Sequence, residues 1–431
     1  MIARSIVFAL LRRIESGQLT VVDEGRRHVF GRGCPQATVV VRSPRLWSTL
    51  ARGGRGLAEG YVAGWWDSPD LTAVFEVGVR NLAGIDEWRR RLSPLLEPYQ
   101  RGRALWVRNT PARSRDDISR HYDLGNELFE LMLDETMMYS SAIFSRREMS
   151  LEQASRAKLE RLCAKLDLRT SDHVLEIGTG WGGFALHAAA TRGCRVTTTT
   201  ISREQGEYAR ARVRAAGLHD RVTVLGDDYR ELRGSYDKLV SIEMIEAVGW
   251  KDFGTFFERC GELLRPHGAM ALQAITIDDR LYEVEKTSRT FIRTYIFPNG
   301  CLPSLEVIAR SIARRSDLRM VDLEDITPHY AETLRRWRAN FDTAAGRLRE
   351  LGYDERFQRM WRMYLSFCEA GFSERRIADV QIVLAKPGWR GRVAVADAPA
   401  HPASARDVSE PAASGGLSRS ARSGSSRFRA E

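Results

Sequence analysis

Two rhythms of apolar and polar positions divide this chain. Up to about residue 105, short alternating stretches such as HVFG and ATVVVRS are separated by turn residues and followed by GLAEGYVAGWWDSPD. That pattern predicts a small α+β domain over 1–105. The opening MIARSIVFALLRRIESG holds an apolar run flanked by arginines. It is too short for a membrane span and is followed by no small-residue cleavage site, so it predicts an amphipathic first helix rather than a signal peptide. Over 106–170 the period becomes helical, in ISRHYDLGNELFELML and LEQASRAKLERLCAKL. Over 171–390, HVLEIG, RVTTTTIS, VTVLGD, KLVSIEM and AMALQAIT read as strands between helical segments, which predicts an α/β fold with a mostly parallel sheet covered by helices. The stretch 279–350 interrupts that alternation with aromatic-rich helices. Residues 391–431 are rich in Ala, Ser, Gly, Pro and Arg and predict a disordered tail.

The chain has 431 residues, enough for two domains with a core each. No run of about 18 apolar residues occurs, so no membrane-spanning helix is expected. The net charge of +10 suits nucleic acid and an anionic membrane surface equally. No zinc-finger, RNP-type or helix-turn-helix signature favours nucleic acid. The cysteines, at 34, 163, 194, 260, 301 and 368, form no CxxC pair. They point to reduced thiols in a cytoplasm, against a disulfide framework and against structural zinc. No His, Cys, Asp or Glu spacing suggests any other metal.

The stretch LEIGTGWGG carries the first chemistry. A strand runs into Gly178, Gly180 and Gly182, which let the backbone turn tightly and approach a ligand, and a helix follows with its positive end forward. Dinucleotide binding would want an acid at the end of the next strand, but that strand ends in TTTTIS, with Thr200 and Ser202. Instead Glu176 precedes the glycines, and a third strand ends in GDDY, with Asp227, Asp228 and Tyr229. An acid before the turn and an acid–aromatic pair after the third strand suit S-adenosylmethionine, whose ammonium seeks negative partners and whose adenine seeks a polar edge and an aromatic face. A second stretch, IEMIEAVG, sets Glu243 and Glu246 in an apolar run after the fourth strand, at the end of the sheet where α/β sites form.

HYDLGNELFELMLDETMMYSSAIF, EIGTGWGGFA, TISREQ, GDDYREL and SIEMIEAVG, in that order, resemble the cyclopropane-fatty-acyl-phospholipid synthase family, and GLAEGYVAGWWDSPDL resembles the extra domain of its full-length bacterial members. The resemblance spans roughly 20–388. It implies a class I methyltransferase fold, Rossmann-like, with a small N-terminal α+β domain that presents lipid. It also implies S-adenosylmethionine as cofactor and the cis double bond of a phospholipid acyl chain as acceptor. It places Tyr139 and Ser140 in a segment that closes over the cofactor. Gly178 and Gly180 fall in the cradle, and Thr200, Ile201 and Gln205 on the amino-acid part and ribose. Asp228 and Tyr229 fall at the adenine. Tyr122, in SRHYDLGN, falls at the substrate pocket.

The chemistry that follows needs a dry site. Methyl transfer to an alkene leaves a carbocation that water would quench and that aromatic faces stabilise. A base must then take a proton from the new methyl. The resemblance implies a bound bicarbonate for this, held by Glu246, Tyr330 and the backbone at Ile275; burial would keep Glu246 neutral beside an anion. Cys368, in YLSFCEAGF, matches a cysteine often marked in the active site, although its apolar helical surroundings also suit a structural thiol. Three positions depart from the family: Ser141 replaces a cysteine, Ala247 a histidine, and Gln273 a histidine in QAI. A hydroxyl and an amide can orient an anion, but an amide cannot relay a proton as imidazole does. EMIEAVG with QAIT also accompanies relatives that make methylene- or methyl-branched chains, with a separate reductase completing the methyl. A further alternative is a lipid-binding relative that has lost catalysis. Arginine-rich LRRWRANF and FIRTYIF are expected to meet lipid phosphates. The expected setting is the cytoplasmic face of the plasma membrane, with a homodimer as the family's usual state.

Overall fold

The computed structural model describes residues 2–82, 86–87, 124–298 and 300–393. A first sheet is built from β1 (Gly17–Asp23), β2 (Arg26–Arg32), β3 (Gln36–Val41) and β4 (Trp66–Asp67), in the order β2-β1-β3-β4. The expected first helix, Ile2–Leu11, lies on it through the buried Phe8. The second sheet holds β5 (His173–Ile177), β6 (Arg195–Thr199), β7 (Val222–Leu225), β8 (Tyr236–Ile242), β9 (Leu264–Ile277), β10 (Arg319–Asp325) and β11 (Ile377–Ala385), in the order β10-β11-β9-β8-β5-β6-β7. Pairing is parallel from β7 through β9, and β11 runs against both its neighbours. This is the sheet that the expected class I methyltransferase fold calls for.

Alternation fixes which side each strand residue faces. Val174 and Val196 enter one apolar layer with Phe184 and Leu159, while Leu175, Ile177 and Met270 enter the other with Phe256 and Phe257. Caps set where the covering helices start. Ser150 and Gln153 form a capping box at Leu151–Lys165, and Ser202 and Asp354 cap Arg203–Ala215 and Glu355–Ser373. At the other end, Gly193 adopts φ +66° and stops Gly183–Arg192.

The first sheet region is fastened to Glu355–Ser373. Arg359 donates to the carbonyls of Tyr61 (2.7 Å) and Trp66 (3.0 Å) and lies 4.0 Å over the Tyr61 ring. The stretch 279–350 is not purely helical, because it contains β10. That strand's residues are mostly exposed, and an edge strand with one partner gives little apolar periodicity to read. No helix among the described residues is long and apolar enough to cross a membrane.

Candidate active site

The cradle forms where β5 ends. Gly178, Gly180 and Gly182 take φ of +103°, +51° and +86°, a region that side chains with a Cβ rarely enter. The Gly178 and Thr179 amides both donate to the Thr199 carbonyl, so the turn folds back on β6 (3.1 and 3.0 Å). A Cβ on Gly178 would stand 3.2 Å from Met244, whereas nothing lies within 4 Å of one on Gly180. The turn therefore packs on one side and is open on the other, as a ligand cradle requires. Beneath it Glu176 is 2% exposed and accepts from Thr198 at 2.6 Å. Thr200 donates to Gln205 (3.0 Å) at the end of β6, with Ile201 half-buried beside it.

At the position expected for the adenine, Asp228 has a partner of its own. Arg230 takes both carboxylate oxygens of Asp228, at 2.8 and 2.7 Å, which leaves that side chain turned into its own loop. Asp227 is the exposed carboxylate of GDDY. The Tyr229 ring lies edge-on to Phe256, and its buried hydroxyl has no partner among the described residues.

The second stretch builds a polar pocket. Glu243 follows β8 at φ +48°, a left-handed conformation that costs a non-glycine residue about 1–3 kcal/mol and concentrates at functional sites. Its carboxylate is held on three sides. The Ser141 amide donates to Oε1 (2.8 Å), as does Gln273 Nε2 (2.7 Å), and the Tyr330 hydroxyl donates to Oε2 (2.5 Å). Such bonds to a charged acceptor are each worth about 1.5–3 kcal/mol, enough together to offset the strain. Gln273 also reaches Asp379 Oδ2 (3.1 Å), while its own oxygen accepts from Gln381 (3.1 Å). Gln381 thereby fixes the amide with its NH₂ group toward the acids. Glu246 accepts from the Ile275 amide (2.5 Å), and its other oxygen is buried without a partner among the described residues. Glu243 and Glu246 lie deep, yet each keeps part of its surface open. Lys158 is wholly buried and donates to Ser140 at 2.6 Å.

These contacts correct the bicarbonate expectation. The Tyr330 hydroxyl, Gln273 amide and Ser141 backbone amide all donate to Glu243, and the Ile275 amide donates to Glu246. The Ser141 hydroxyl turns away to the Ala142 carbonyl (3.1 Å). A free anion would meet three carboxylates with its expected donors already engaged, so bicarbonate does not fit. The protein's own carboxylate stands among those donors.

Burial pushes the acids up: Glu176 and Glu246 each to about 8, and Asp379 well above its ordinary range, with Glu243 adding to the last. Burial brings Lys158 down to about 8, against the pull of Glu243 and Asp379. Glu243 is raised by burial, while Tyr330, Lys158, Ser141 and Gln273 favour its charged form. An acid raised by folding binds more protons folded than unfolded between its two pKa values. Stability from Glu176 and Glu246 is therefore full below about 4.5 and lost as pH rises toward about 8. The melting temperature of the ligand-free protein should fall by a few degrees across that window, and Glu176→Gln should flatten the fall in a melting series.

Aromatic side chains pack near these acids. The Tyr139 ring lies 5.2 Å from Phe129 and Trp337, and its hydroxyl meets that of Tyr364 at 2.8 Å. Tyr330 stacks on Phe372 at 4.2 Å. Cys368 is half-buried beside this cluster, and burial pushes its thiol up to about 12, so it carries no thiolate at neutral pH. Cys368→Ala should leave turnover near wild type and cost about 1 kcal/mol in a denaturant melt.

Tyr122 lies outside the described residues, as do 394–431 of the expected tail. The arginines of LRRWRANF are engaged: Arg335 and Arg336 bind Glu332, and Arg338 binds Glu369. Arg293 of FIRTYIF donates to the Lys286 and Ser288 carbonyls (2.9 and 3.0 Å). Sequence reasoning gave no role to Glu243, Lys158, Asp379 or Gln381. Their signals were present: Asp379 and Gln381 are polar residues two apart in a short apolar strand, and Lys158 occupies an apolar phase of its helix.

Residues 109–382 match the family model described as mycolic acid cyclopropane synthetase. The tuberculostearic acid methyltransferase of Mycobacterium tuberculosis is 39% identical over 84% of this chain and 88% of its own. The cyclopropane-fatty-acyl-phospholipid synthase of Escherichia coli K12 is 36% identical over 82% and 89%. Among solved structures, a cyclopropane synthase of M. tuberculosis, MmaA2, superposes with a TM-score of 0.59 at 29% identity, covering 63% of this chain and 98% of its own. The mycolic acid cyclopropane synthase CmaA1, solved with S-adenosylhomocysteine, gives 0.59 at 28%, with the same coverage.

Proposed function

The chain belongs to the mycolic acid cyclopropane synthetase family of S-adenosylmethionine-dependent methyltransferases, and from that premise we propose that it methylates the cis double bond of an unsaturated phospholipid acyl chain, with Glu243 as the base. The observation that carries the base assignment is the triple hold of Tyr330, Gln273 and Ser141 on the Glu243 carboxylate. The open glycine turn over buried Glu176 fits the cofactor. Tyr139, Ser140, Gly178, Gly180, Thr200, Ile201, Gln205 and the GDDY loop would hold it. When bound, it supplies an electrophilic methyl on a sulfonium.

The alkene's electron pair forms the new carbon–carbon bond, and positive charge appears on the neighbouring chain carbon. Tyr139, Trp337 and Tyr330 exclude water and offer π-faces to that charge. Glu243 must be ionised to take the proton. Its three donors favour the carboxylate, whereas burial and the Glu243 charge push Asp379 well above its ordinary range, so Asp379 is the acid that keeps a proton. Glu243 then removes a proton from the added methyl, and the released electron pair closes a cyclopropane ring. Should a hydride first shift between the two chain carbons, the same proton loss gives an exocyclic methylene, which a partner reductase would convert to a methyl branch. The anion pocket filled by Glu243 and Gln273, and the relative named a methyltransferase rather than a cyclopropane synthase, favour that second product.

The reading extends to a peripheral enzyme at the inner face of the plasma membrane, working as a homodimer, whose first 105 residues present lipid. Its test is expression in a host lacking its own enzyme, fed methyl-labelled methionine, with mass spectrometry of the membrane fatty acids. Labelled cyclopropane or methylene chains support it and distinguish the two products. A folded protein that binds the cofactor and labels no lipid overturns it in favour of the lipid-binding relative.

A further inference from the structure

Helix Ile2–Leu11 has two apolar faces. The inner one is explained: Phe8 lies edge-on to Phe30 and Trp47, at 5.2 and 5.5 Å. On the outer face Ile2, Ile6 and Leu10 are 80%, 56% and 58% exposed. Their spacing of four sets them in one stripe along the helix, where a helix facing water carries charge. The one charged side chain of this helix, Arg4, turns to Asp23 instead (2.5 Å). Exposed Arg12 and Arg13 follow directly, and β2 beneath the helix adds exposed Arg26, Arg27 and Arg32. Among the described residues no acid pairs with these five arginines, in contrast to those of LRRWRANF.

We propose that this helix is a membrane-docking element that lies in the headgroup boundary of an anionic bilayer, with its stripe in the acyl region and the arginines on lipid phosphates. The inference rests on the reading above only in taking lipid as the substrate. A second copy of the chain fits the stripe less well. Ten residues of helix span about 15 Å and, at a width of about 10 Å, offer a face on the order of 150 Å², far short of the roughly 800 Å² per partner that a stable interface needs. A twofold contact there would also set arginine against arginine. A bilayer has neither requirement. Docking would act on the site through the Arg359 clamp, since Glu355–Ser373 carries Tyr364 to Tyr139.

The test is co-sedimentation of the full chain with vesicles of phosphatidylcholine, with and without phosphatidylglycerol, for wild type and Ile6→Glu/Leu10→Glu. Wild type should bind the anionic vesicles, less so as salt rises. The double variant should partition on the order of 100-fold more weakly, at about tenfold for each buried side chain replaced. Its S-adenosylmethionine affinity, its mass in solution and its turnover of detergent-dispersed phospholipid should be unchanged, while turnover on vesicles falls. A variant that sediments like wild type overturns the proposal. So does one that converts a dimer to a monomer, since a second copy then covers the stripe. If vesicle binding falls as expected but neither protein methylates dispersed lipid, the docking element stands and the assigned reaction fails.

Discussion

Glu243→Gln should abolish lipid methylation products while leaving cofactor binding intact. The substitution keeps the side chain's size and its acceptor oxygen for the Tyr330 hydroxyl. It removes the carboxylate that three donors hold as an anion. General-base removal costs about 10²–10⁴ in rate, and a drop near 10³ in product formation is expected. Isothermal titration with S-adenosylmethionine should give wild-type affinity, which separates a lost base from a lost fold. Added bicarbonate should restore nothing, because an amide NH₂ would then occupy the pocket. Full activity in this variant, or a wild-type rate that depends on bicarbonate, would remove Glu243 from the role. The variant should melt lower than wild type but still fold, since its amide NH₂ meets the Ser141 and Gln273 donors that the carboxylate accepts from.

Gly178→Val should cost cofactor affinity roughly 30-fold or more. A β-branched residue at φ +103° is strained, and its Cβ would press on Met244 at 3.2 Å. About 2 kcal/mol of strain, relieved only by moving the turn, converts to that factor in binding. Titration with S-adenosylmethionine reads the loss directly, and circular dichroism checks that the sheet survives. Unchanged affinity would mean that the cofactor does not approach this turn. At Gly180, where a Cβ meets open space, Ala should cost the fold only the backbone strain of φ +51°, about 1 kcal/mol, with a further loss when the ligand is bound.

The central sheet was legible because its strands are buried on both faces and flanked by amphipathic helices, so apolar runs such as HVLEI and KLVSI stand out. β10 was not, since its exposed residues follow no apolar rhythm. The glycine turn and both glutamates could be found from their local strings. The partners of Glu243 could not, because Ser141, Gln273 and Tyr330 come from three distant segments that only the fold brings together. The bicarbonate expectation failed for a related reason. It counted donors residue by residue, and the sequence does not show that one acid reaches all of them. Asp228 has a partner that could have been read locally, Arg230 two residues on.

The last strand of the sheet is inserted between β9 and β10 rather than added at an edge. It carries Asp379 and Gln381, which fix the orientation of Gln273 and hence the hold on Glu243. During synthesis the ribosome therefore releases every other part of the pocket first. Until about residue 381 has emerged, β9 has an open flank and Gln273 lacks the neighbours that orient its amide. The nascent chain cannot hold Glu243 in place before its fold is nearly closed, and a message truncated shortly before this strand should yield a chain that is both unstable and inert.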